Sequence, residues 1–192
     1  KVDCGIMITA SHNPKEDNGL KFAFKDYLNA KGEEITDFYE ETIKGDFLDG
    51  VGSVRKINVK EEYFKAIKDG LKFGDKRIKA VLDPGNGTTS IILKDLYSMF
   101  PIDFTIINGE SDGTFPNHHP DPSIEANLEQ LKKKVLETGA DIGVSFDGDG
   151  DRVGVITNEG KFLPCDYYMI LIIRDIIDKV KNKTFLYDVK CS

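Results

Sequence analysis

Short apolar runs alternate with amphipathic helical patterns over the middle of the chain, and this alternation constrains the fold more than any other feature. Strands are predicted at residues 78–82, 102–107 and 142–146, with helices between them at 88–99 and 124–138. Strand, helix, strand, helix, strand is typical of a parallel α/β unit, in which ligands bind at the carboxyl ends of the strands. The predicted fold class is therefore α/β.

The flanking segments contain the same kinds of element in a less regular order. The elements predicted there are strands at 6–9, 20–27 and 185–188 and helices at 33–44, 59–70 and 166–180. Between two of these helices, segment 46–53 contains two glycines and is a candidate linker. Both ends of the sequence cut into strand-like runs. We therefore expect a piece of a larger protein, made of consecutive mixed or parallel α/β units and truncated at both ends.

Composition excludes several classes of partner. The 192 residues carry a net charge of −7, which argues against non-specific nucleic-acid binding. The longest apolar run, 167–173, is far shorter than the roughly 18 residues that a membrane span needs. The three cysteines are far apart and form no Cys-x-x-Cys motif, which favours a reducing compartment and hence the cytoplasm. We expect neither a nucleic-acid nor a membrane partner, and the oligomeric state does not follow from the sequence.

One motif combines acidic residues with glycines. Asp147, Asp149 and Asp151 alternate with glycines directly after a predicted strand. Three carboxylates at this spacing can converge on one small cation, because the glycines let the backbone fold around it. Three protein ligands leave coordination positions open, which suits Mg²⁺ and phosphoryl transfer. Arg152 follows and adds a fixed positive charge where a transferring phosphate would need one.

Two other interpretations of the acidic motif fit less well. A solvated acidic turn rarely has three aspartates in strict alternation behind a buried strand. An EF-hand loop requires glycine at its sixth position and glutamate at its twelfth, where this chain has Arg152 and Asn158. Strand-like segments on both sides also do not suit a helix-loop-helix motif.

A second motif contains a candidate nucleophile, Ser11, in the turn Ser11–Pro14. A serine hydroxyl is a poor nucleophile unless a base or a metal activates it. His12 and Lys21 are candidates for that role, although from the residues alone an ordinary turn is as plausible.

Two further segments are predicted to be structural. The turn 83–87 lacks the Gly-Lys-Ser/Thr ending of a phosphate-binding P-loop, which favours a strand-to-helix turn. His118 and His119 have no third histidine or cysteine nearby, so we interpret them as loop residues rather than metal ligands.

Together the two motifs resemble a known family. Residues 8–14 with 18–21 resemble the phosphoserine loop of the α-D-phosphohexomutases, and residues 147–152 resemble their metal-binding loop. Residues 115–122 and 188–191 are similar to the bacterial phosphomannomutase/phosphoglucomutase branch. The motifs occur in the family's order, and the resemblance covers essentially the whole chain.

The resemblance implies a domain organisation and roles for the main residues. Members of the family have four domains around a cleft. Residues 1–54 would be the end of the first domain with the phosphoserine loop, 55–158 the second domain with the metal-binding loop, and 159–192 the start of the third. Ser11 would carry the phosphate and, through a phosphoserine oxygen, share Mg²⁺ with the three aspartates of the acidic motif.

Four other residues receive roles by the same analogy. His12 and Lys21 would be acid/base or phosphate-contacting residues, while Arg152 and Lys190 would contact phosphate or sugar. The implied reaction interconverts hexose 1-phosphate and hexose 6-phosphate, of glucose, mannose or both. Its intermediate and activator would be glucose 1,6-bisphosphate or mannose 1,6-bisphosphate.

Three alternatives remain open. They are a phosphoglucosamine mutase, a catalytically incompetent fragment that binds metal or phosphosugar, and a metal-dependent phosphatase that runs in one direction. Because the phosphate-clamping fourth domain would be missing, we expect little turnover from the isolated 192 residues.

Overall fold

The computed structural model describes residues 2–24, 28–189 and 191, and it divides into two compact units. The first unit comprises the residues up to Ala10 and Glu16–Lys72. The second comprises Ser11–Lys15 and the chain from Phe73 onward. The predicted domain boundaries at 54/55 and 158/159 stay predictions.

The first unit contains a β-hairpin and two helices. Its elements are β1 (Gly5–Ile8), β2 (Leu20–Ala23), α1 (Gly32–Lys44) and α2 (Lys60–Gly70). The strands are antiparallel, and the ring of Phe38 on α1 lies with its centroid 5.1 Å from that of Phe22 on β2. Both helices agree with their predicted ranges to within one residue, and the candidate linker 46–53 contains no helix or strand. The predicted strand at 20–27 is shorter, and its last three residues lie outside the described residues.

The second unit is built on a five-stranded sheet. Its strands are β3 (Ile78–Asp83), β4 (Ile102–Ile106), β5 (Ile142–Phe146), β6 (Val153–Thr157) and β7 (Phe162–Leu163), in the order β4-β3-β5-β6-β7. Its helices are α3 (Leu93–Tyr97), α4 (Glu129–Thr138) and α5 (Cys165–Ile176). Strands β4, β3 and β5 are parallel, whereas β6 and β7 are antiparallel to their neighbours. The α/β prediction is confirmed, with a mixed sheet.

Strand β3, which lies between β4 and β5, is buried on both faces. Leu82 belongs to one apolar cluster with Leu93 of α3, and Val81 belongs to a second cluster with Leu131 and Val135 of α4. Successive residues of a strand point to opposite faces, so an apolar run without polar alternation lets helices pack on both sides. Full burial of such a leucine stabilises the fold by roughly 1.5–3 kcal/mol. This packing holds β3 and the neighbouring β5 in place, and so fixes where the loops at their carboxyl ends begin.

Both predicted helices of the middle segment begin as 3₁₀ turns. The first divides into the 3₁₀ turn Thr88–Ile91 and α3, and the second into the 3₁₀ turn Glu125–Leu128 and α4. The first break has a local cause, because β-branched residues at 88, 89, 91 and 92 lose side-chain freedom in a helix. Helix α4 ends before Gly139, whose φ of 61° suits a glycine at a helix end.

One predicted element is wrong. Residues 185–188 form no strand, since nothing among the described residues pairs with them. An apolar run becomes a strand only when a neighbouring strand accepts its backbone hydrogen bonds. The short strand β7, conversely, was not predicted. In the part of the chain that the structure describes, no helix has the length and apolar character needed to cross a membrane.

Candidate metal centre

The acidic motif lies at the carboxyl end of β5, beside the carboxyl end of β3. Asp83 closes β3 and is paired in register with Ser145 of β5, two residues before Asp147. Both aspartates are fully buried. The loop Asp147–Arg152 then connects β5 to the antiparallel strand β6. The sheet therefore delivers the loop to the edge where α/β proteins bind ligands.

The backbone of the loop curls around the first aspartate. The Arg152 amide donates a hydrogen bond to Asp147 Oδ1 at 3.0 Å, and the Gly150 amide donates to the Asp147 carbonyl oxygen at 3.1 Å. Gly150 has a φ of 78°, a left-handed conformation that glycine adopts without steric cost. The alternating glycines thus fold three carboxylates into one small volume.

The three carboxylates converge as the spacing predicted. One oxygen from each of Asp147, Asp149 and Asp151 lies within 4.8 Å of the others. Burial raises the pKa of the Asp147 carboxyl above its usual value, and the charges of Asp149 and Asp151 raise it further. Hydrogen bonds from the Arg152 amide and from Ser11 oppose this rise in pKa without cancelling it. A cation between the carboxylates would remove the repulsion.

The donor set fits a hard divalent cation. All three ligands are carboxylate oxygens, which suit Mg²⁺ or Ca²⁺ rather than a soft metal. The coordination positions that the three aspartates do not fill would be available to an anionic oxygen of a substrate or of a modified side chain.

Ser11 lies directly against this cluster. Its hydroxyl donates to Asp147 Oδ2 at 3.0 Å, and Asp149 Oδ1 lies 3.4 Å away. The residue has a φ of 55°, a left-handed conformation that costs a non-glycine residue on the order of 1–2 kcal/mol. A Cβ atom on Gly148 would collide with the Ser11 carbonyl oxygen, so glycine at 148 permits the close approach. The structure thus brings together two motifs that are 136 residues apart.

His12 links the serine to Arg152. Its Nδ1 lies 3.1 Å from Ser11 Oγ, and its Nε2 lies 3.2 Å from Arg152 Nη1. A guanidinium only donates hydrogen bonds, so Nε2 accepts and the ring proton belongs on Nδ1. His12 therefore faces the serine oxygen as a donor, and the serine proton is directed to Asp147 instead.

A further acidic residue near the centre was not among the predicted site residues. Asp121 is buried, and its Oδ1 accepts hydrogen bonds from the amide and the hydroxyl of Ser123, at 3.0 and 2.6 Å. Burial raises the pKa of the Asp121 carboxyl, but these hydrogen bonds and the positive charge of Arg152 outweigh burial and lower the pKa below its usual value. The only sequence signal was its place in the segment 115–122, which carried a resemblance and no assigned chemistry.

Two further site residues were predicted, Lys21 and Lys190. Lys21 is on β2 in the first unit, paired across the hairpin with Met7. Lys190 lies outside the described residues. The roles predicted for both stay predictions.

The turn 83–87 does not form a phosphate cradle. Its amides at Gly85, Asn86 and Gly87 donate to Asp83 Oδ1 and to two carbonyl oxygens, and the Thr88 amide that follows donates to the Gly148 carbonyl oxygen. The Thr88 hydroxyl also donates to the Gly148 oxygen, at 3.1 Å. The prediction of a structural turn is confirmed. The turn also supports the acidic loop, because Thr88 at its end holds the carbonyl oxygen of Gly148.

The mixed α/β unit holds a serine hydroxyl against three convergent aspartates, an arrangement that suits metal-assisted phosphoryl transfer. The family model for phosphoglucomutase/phosphomannomutase alpha/beta/alpha domain II matches residues 61–160, and that for domain I matches residues 1–49. The chain belongs to the phosphoglucomutase/phosphomannomutase family, which confirms the resemblance noted from the sequence.

Individual relatives agree with this assignment. The chain is 39% identical to a phosphomannomutase/phosphoglucomutase of Pseudomonas syringae pv. tomato over 98% of its length, and 35% identical to a phosphoglucomutase of Neisseria meningitidis over 97%. Among solved structures, a phosphoglucomutase/phosphomannomutase family protein from Burkholderia thailandensis matches 93% of the chain with a TM-score of 0.85 and 33% identity, over 39% of its own length. The chain spans 40% of the length of each of these two curated relatives.

Proposed function

We propose that the complete protein interconverts hexose 1-phosphate and hexose 6-phosphate, of glucose, mannose or both, by moving a phosphoryl group between Ser11 and the sugar. The observation that carries the proposal is the contact between the Ser11 hydroxyl and the carboxylates of Asp147 and Asp149, at 3.0 and 3.4 Å. The names of the relatives support the choice of phosphosugar. Carbohydrate metabolism and an isomerase reaction are consistent with the family.

The acidic motif would hold Mg²⁺ in this proposal. Asp147, Asp149 and Asp151 would be the protein ligands, and an oxygen of phosphorylated Ser11 would be a further ligand. Bound Mg²⁺ supplies positive charge that withdraws electron density from the phosphoryl group. The chain's own part is to position the serine and to neutralise the phosphate charge, for which Arg152 is suited by its fixed guanidinium.

The proton and bond changes can be assigned in outline. In the first half-reaction the bond between the serine oxygen and phosphorus breaks, and a bond between a sugar hydroxyl oxygen and phosphorus forms. The sugar hydroxyl loses a proton to a base, for which Lys21 is the predicted candidate, and the serine oxygen gains one. His12 is suited to supply the latter, because its Nδ1 proton faces Ser11 Oγ. The second half-reaction reverses these changes with the other phosphate of the bisphosphorylated sugar.

The proposal also includes an activator, a role for Lys190 and a cellular compartment. Glucose 1,6-bisphosphate or mannose 1,6-bisphosphate would act as activator, and Lys190 would contact phosphate or sugar. All three cysteines are free and exposed, which agrees with a reducing compartment such as the cytoplasm.

The test replaces the serine in a protein of the relatives' full length. Ser11→Ala should abolish the phosphoenzyme and lower turnover by on the order of 10⁶-fold, as loss of a nucleophile does. Ser111→Ala is the matched control, because Ser111 lies exposed in the loop after β4. This substitution should leave the phosphoenzyme and the turnover unchanged. Intact-mass measurement and peptide mapping give the readout. Phosphate mapped to another residue in the active protein would show that the assignment is wrong.

Substrate assays separate the alternatives. A preference for glucosamine phosphate over glucose and mannose phosphates would favour a phosphoglucosamine mutase. Stoichiometric release of inorganic phosphate without need for a bisphosphate primer would indicate a phosphatase. Rapid turnover by the 192 residues alone would contradict the expectation of an inactive fragment.

A further inference from the structure

His118 is a buried histidine that the proposed reaction does not use. Its side chain is only 9% exposed. Nε2 of the ring lies 3.0 Å from Asp83 Oδ2, and Nδ1 lies 3.0 Å from the carbonyl oxygen of His119. Both ring nitrogens therefore face oxygen atoms.

The partners of the ring define how many protons it holds. A carbonyl oxygen can only accept a hydrogen bond, and an ionised carboxylate can only accept as well. Asp83 Oδ1 accepts from the Gly85 amide at 2.9 Å and from Asn108 Nδ2 at 3.1 Å, so Oδ2 is the oxygen that faces the ring. Both ring nitrogens must then donate, so His118 is an imidazolium paired with Asp83.

The direction of the His118 pKa agrees with this geometry. Burial lowers the pKa of the ring, but the hydrogen bonds to Asp83 and to the His119 carbonyl, together with the Asp83 charge, outweigh burial and raise the pKa above 6.5. Asp83 is the one charged group that the described contacts place against the ring. The turn after β3 contributes Gly85, which carries no charge, and the histidine's own loop contributes a carbonyl oxygen.

Packing connects this pair to the candidate metal centre. Pro120, two residues after His118, is fully buried. Its Cγ lies 3.7 Å from the position that a Cβ would occupy on Gly148, the residue between Asp147 and Asp149. Close-packed interiors transmit small displacements, so a shift at His118 would reach the two aspartates through Pro120.

The far end of the same segment is also fixed. The carbonyl oxygen of Asp121 accepts a hydrogen bond from Asn127 Nδ2 at 2.9 Å, and the carboxylate of Asp121 is held by Ser123. With Asn127 at one end, the His118–Asp83 pair is the tie at the other. The segment 118–123 is thus clamped between two ties, to the end of β3 through His118 and to the 3₁₀ turn Glu125–Leu128 through Asn127.

We propose that the His118–Asp83 pair is a positioning device for the candidate metal centre, which holds Pro120 against Gly148 and thereby keeps Asp147 and Asp149 at the spacing that the cation requires. His118 touches neither the cation nor the phosphate. The inference rests on the proposed function for the identity of the centre, but its test uses cation binding and not turnover.

The proposal has a distinctive pH dependence. Carboxylate ligands bind a cation more tightly as pH rises, because they lose protons. The clamp acts in the opposite direction, because the ring loses its second proton as pH rises from 6.5 through its raised pKa. Affinity for the cation should therefore fall on the alkaline side of pH 6.5 in the unchanged chain.

The experiment measures binding of Mn²⁺ alone to the 192-residue chain, followed by calorimetry or by the electron paramagnetic resonance of the free ion. His118→Gln keeps a donor for Asp83 but loses the donor for the His119 carbonyl and the charge. We expect about tenfold weaker Mn²⁺ binding near pH 6.5, at the lower end of the cost of losing an outer-shell partner. His119→Gln is the matched control, because it makes the same change one residue along at an exposed position.

A conservative variant distinguishes positioning from mere structural support. In Asp83→Asn the amide can donate to a neutral His118 ring, which still donates to the His119 carbonyl, so both contacts survive without the second proton. This variant should bind Mn²⁺ nearly as tightly as the unchanged chain and lose the alkaline decline in affinity. Circular dichroism at each pH shows that the chain stays folded.

The possible failures differ from one another. If the unchanged chain binds Mn²⁺ and His118→Gln binds it equally well, the inference is wrong and the proposed function stands. If His118→Gln does not fold, a flat alkaline profile in the unchanged chain still overturns the inference. If the unchanged chain does not bind Mn²⁺ at all, the proposed function and the inference fail together.

Discussion

Two buried aspartates at the carboxyl ends of neighbouring parallel strands have opposite electrostatic surroundings. Asp83 after β3 and Asp147 after β5 are both fully buried, and each begins a glycine-containing loop. Asp83 accepts hydrogen bonds from a backbone amide, from Asn108 and from His118. Asp147 accepts from the Arg152 amide and the Ser11 hydroxyl, and shares its surroundings with two further carboxylates.

The difference indicates what each loop is for. The charge of Asp83 is balanced by a histidine of the same chain, so its loop is complete as folded and serves as a support. Around Asp147 three carboxylates share one neighbouring guanidinium, since Arg152 Nε lies 4.0 Å from Asp151 Oδ1, and burial together with the charges of Asp149 and Asp151 raises the pKa of Asp147. A buried charge without compensation is costly. An excess of carboxylates beside a serine hydroxyl therefore supports the proposed cation site.

The largest expected effect separates the two aspartates by cation binding. Asp147→Asn removes a charged group that would bind the cation directly. Loss of an outer-shell partner already costs up to about 100-fold in metal affinity, so this variant should weaken Mn²⁺ binding by more than that. Asp83→Asn should leave the affinity near that of the unchanged chain. Calorimetric titration of both variants gives the comparison. Equal losses would show that the two loops do not differ in the way described.

A smaller effect concerns the contact between the acidic loop and the serine turn. A Cβ on Gly148 would collide with the Ser11 carbonyl oxygen, whereas one on Gly113 meets nothing within 4 Å. Gly148→Ala should therefore lower the free energy of unfolding by about 1–3 kcal/mol, the usual cost of overpacking. Gly113→Ala should not lower it. Urea unfolding measures both, and a tolerated alanine at 148 would contradict the close contact between the two motifs.

The smallest effect is the pH dependence of the free energy of unfolding that the His118–Asp83 pair confers. The folded state holds the His118 proton more tightly than the unfolded state, since its pKa is raised from 6.5. The stabilisation is complete below pH 6.5 and is lost as pH rises through the folded-state pKa. Its amplitude is about 1.4 kcal/mol for every tenfold difference in proton affinity between the folded and the unfolded state. Urea unfolding without divalent cations should show this decline in the unchanged chain, and Asp83→Asn should flatten it. A decline of the same size in Asp83→Asn would assign it to another group.

Much of the fold followed from local pattern. The strands at 78–82 and 142–146 and the helices at 33–44 and 59–70 were predicted to within a residue, because apolar periodicity reports which faces are buried. The run 185–188 has the same apolar character and forms no strand, because strand formation depends on a partner that a local pattern does not contain. The 3₁₀ turns that begin the segments at 88 and 125 depended on backbone detail that periodicity does not record.

The features of the candidate site likewise divide into those that local sequence predicted and those that it did not. The convergence of the three aspartates was predictable because alternation with glycine over five residues is a local property. The positions of Asp121 and His118 were not, because neither belongs to a motif whose chemistry can be inferred from its neighbours. His118 was interpreted as a loop residue rather than a metal ligand, and the structure adds that its ring is buried against Asp83.

By itself the sequence determined the α/β class, the acidic loop and the serine turn, since each depends on residues close together in the chain. Only the tertiary structure decided that Ser11 meets Asp147 across 136 positions, and that His12 faces the serine as a hydrogen-bond donor. It also decided that His118 ties the supporting segment to β3. The physical reason is that hydrogen bonds and close packing act over a few ångströms in space, and the separation of residues along the chain does not specify which of them come that near.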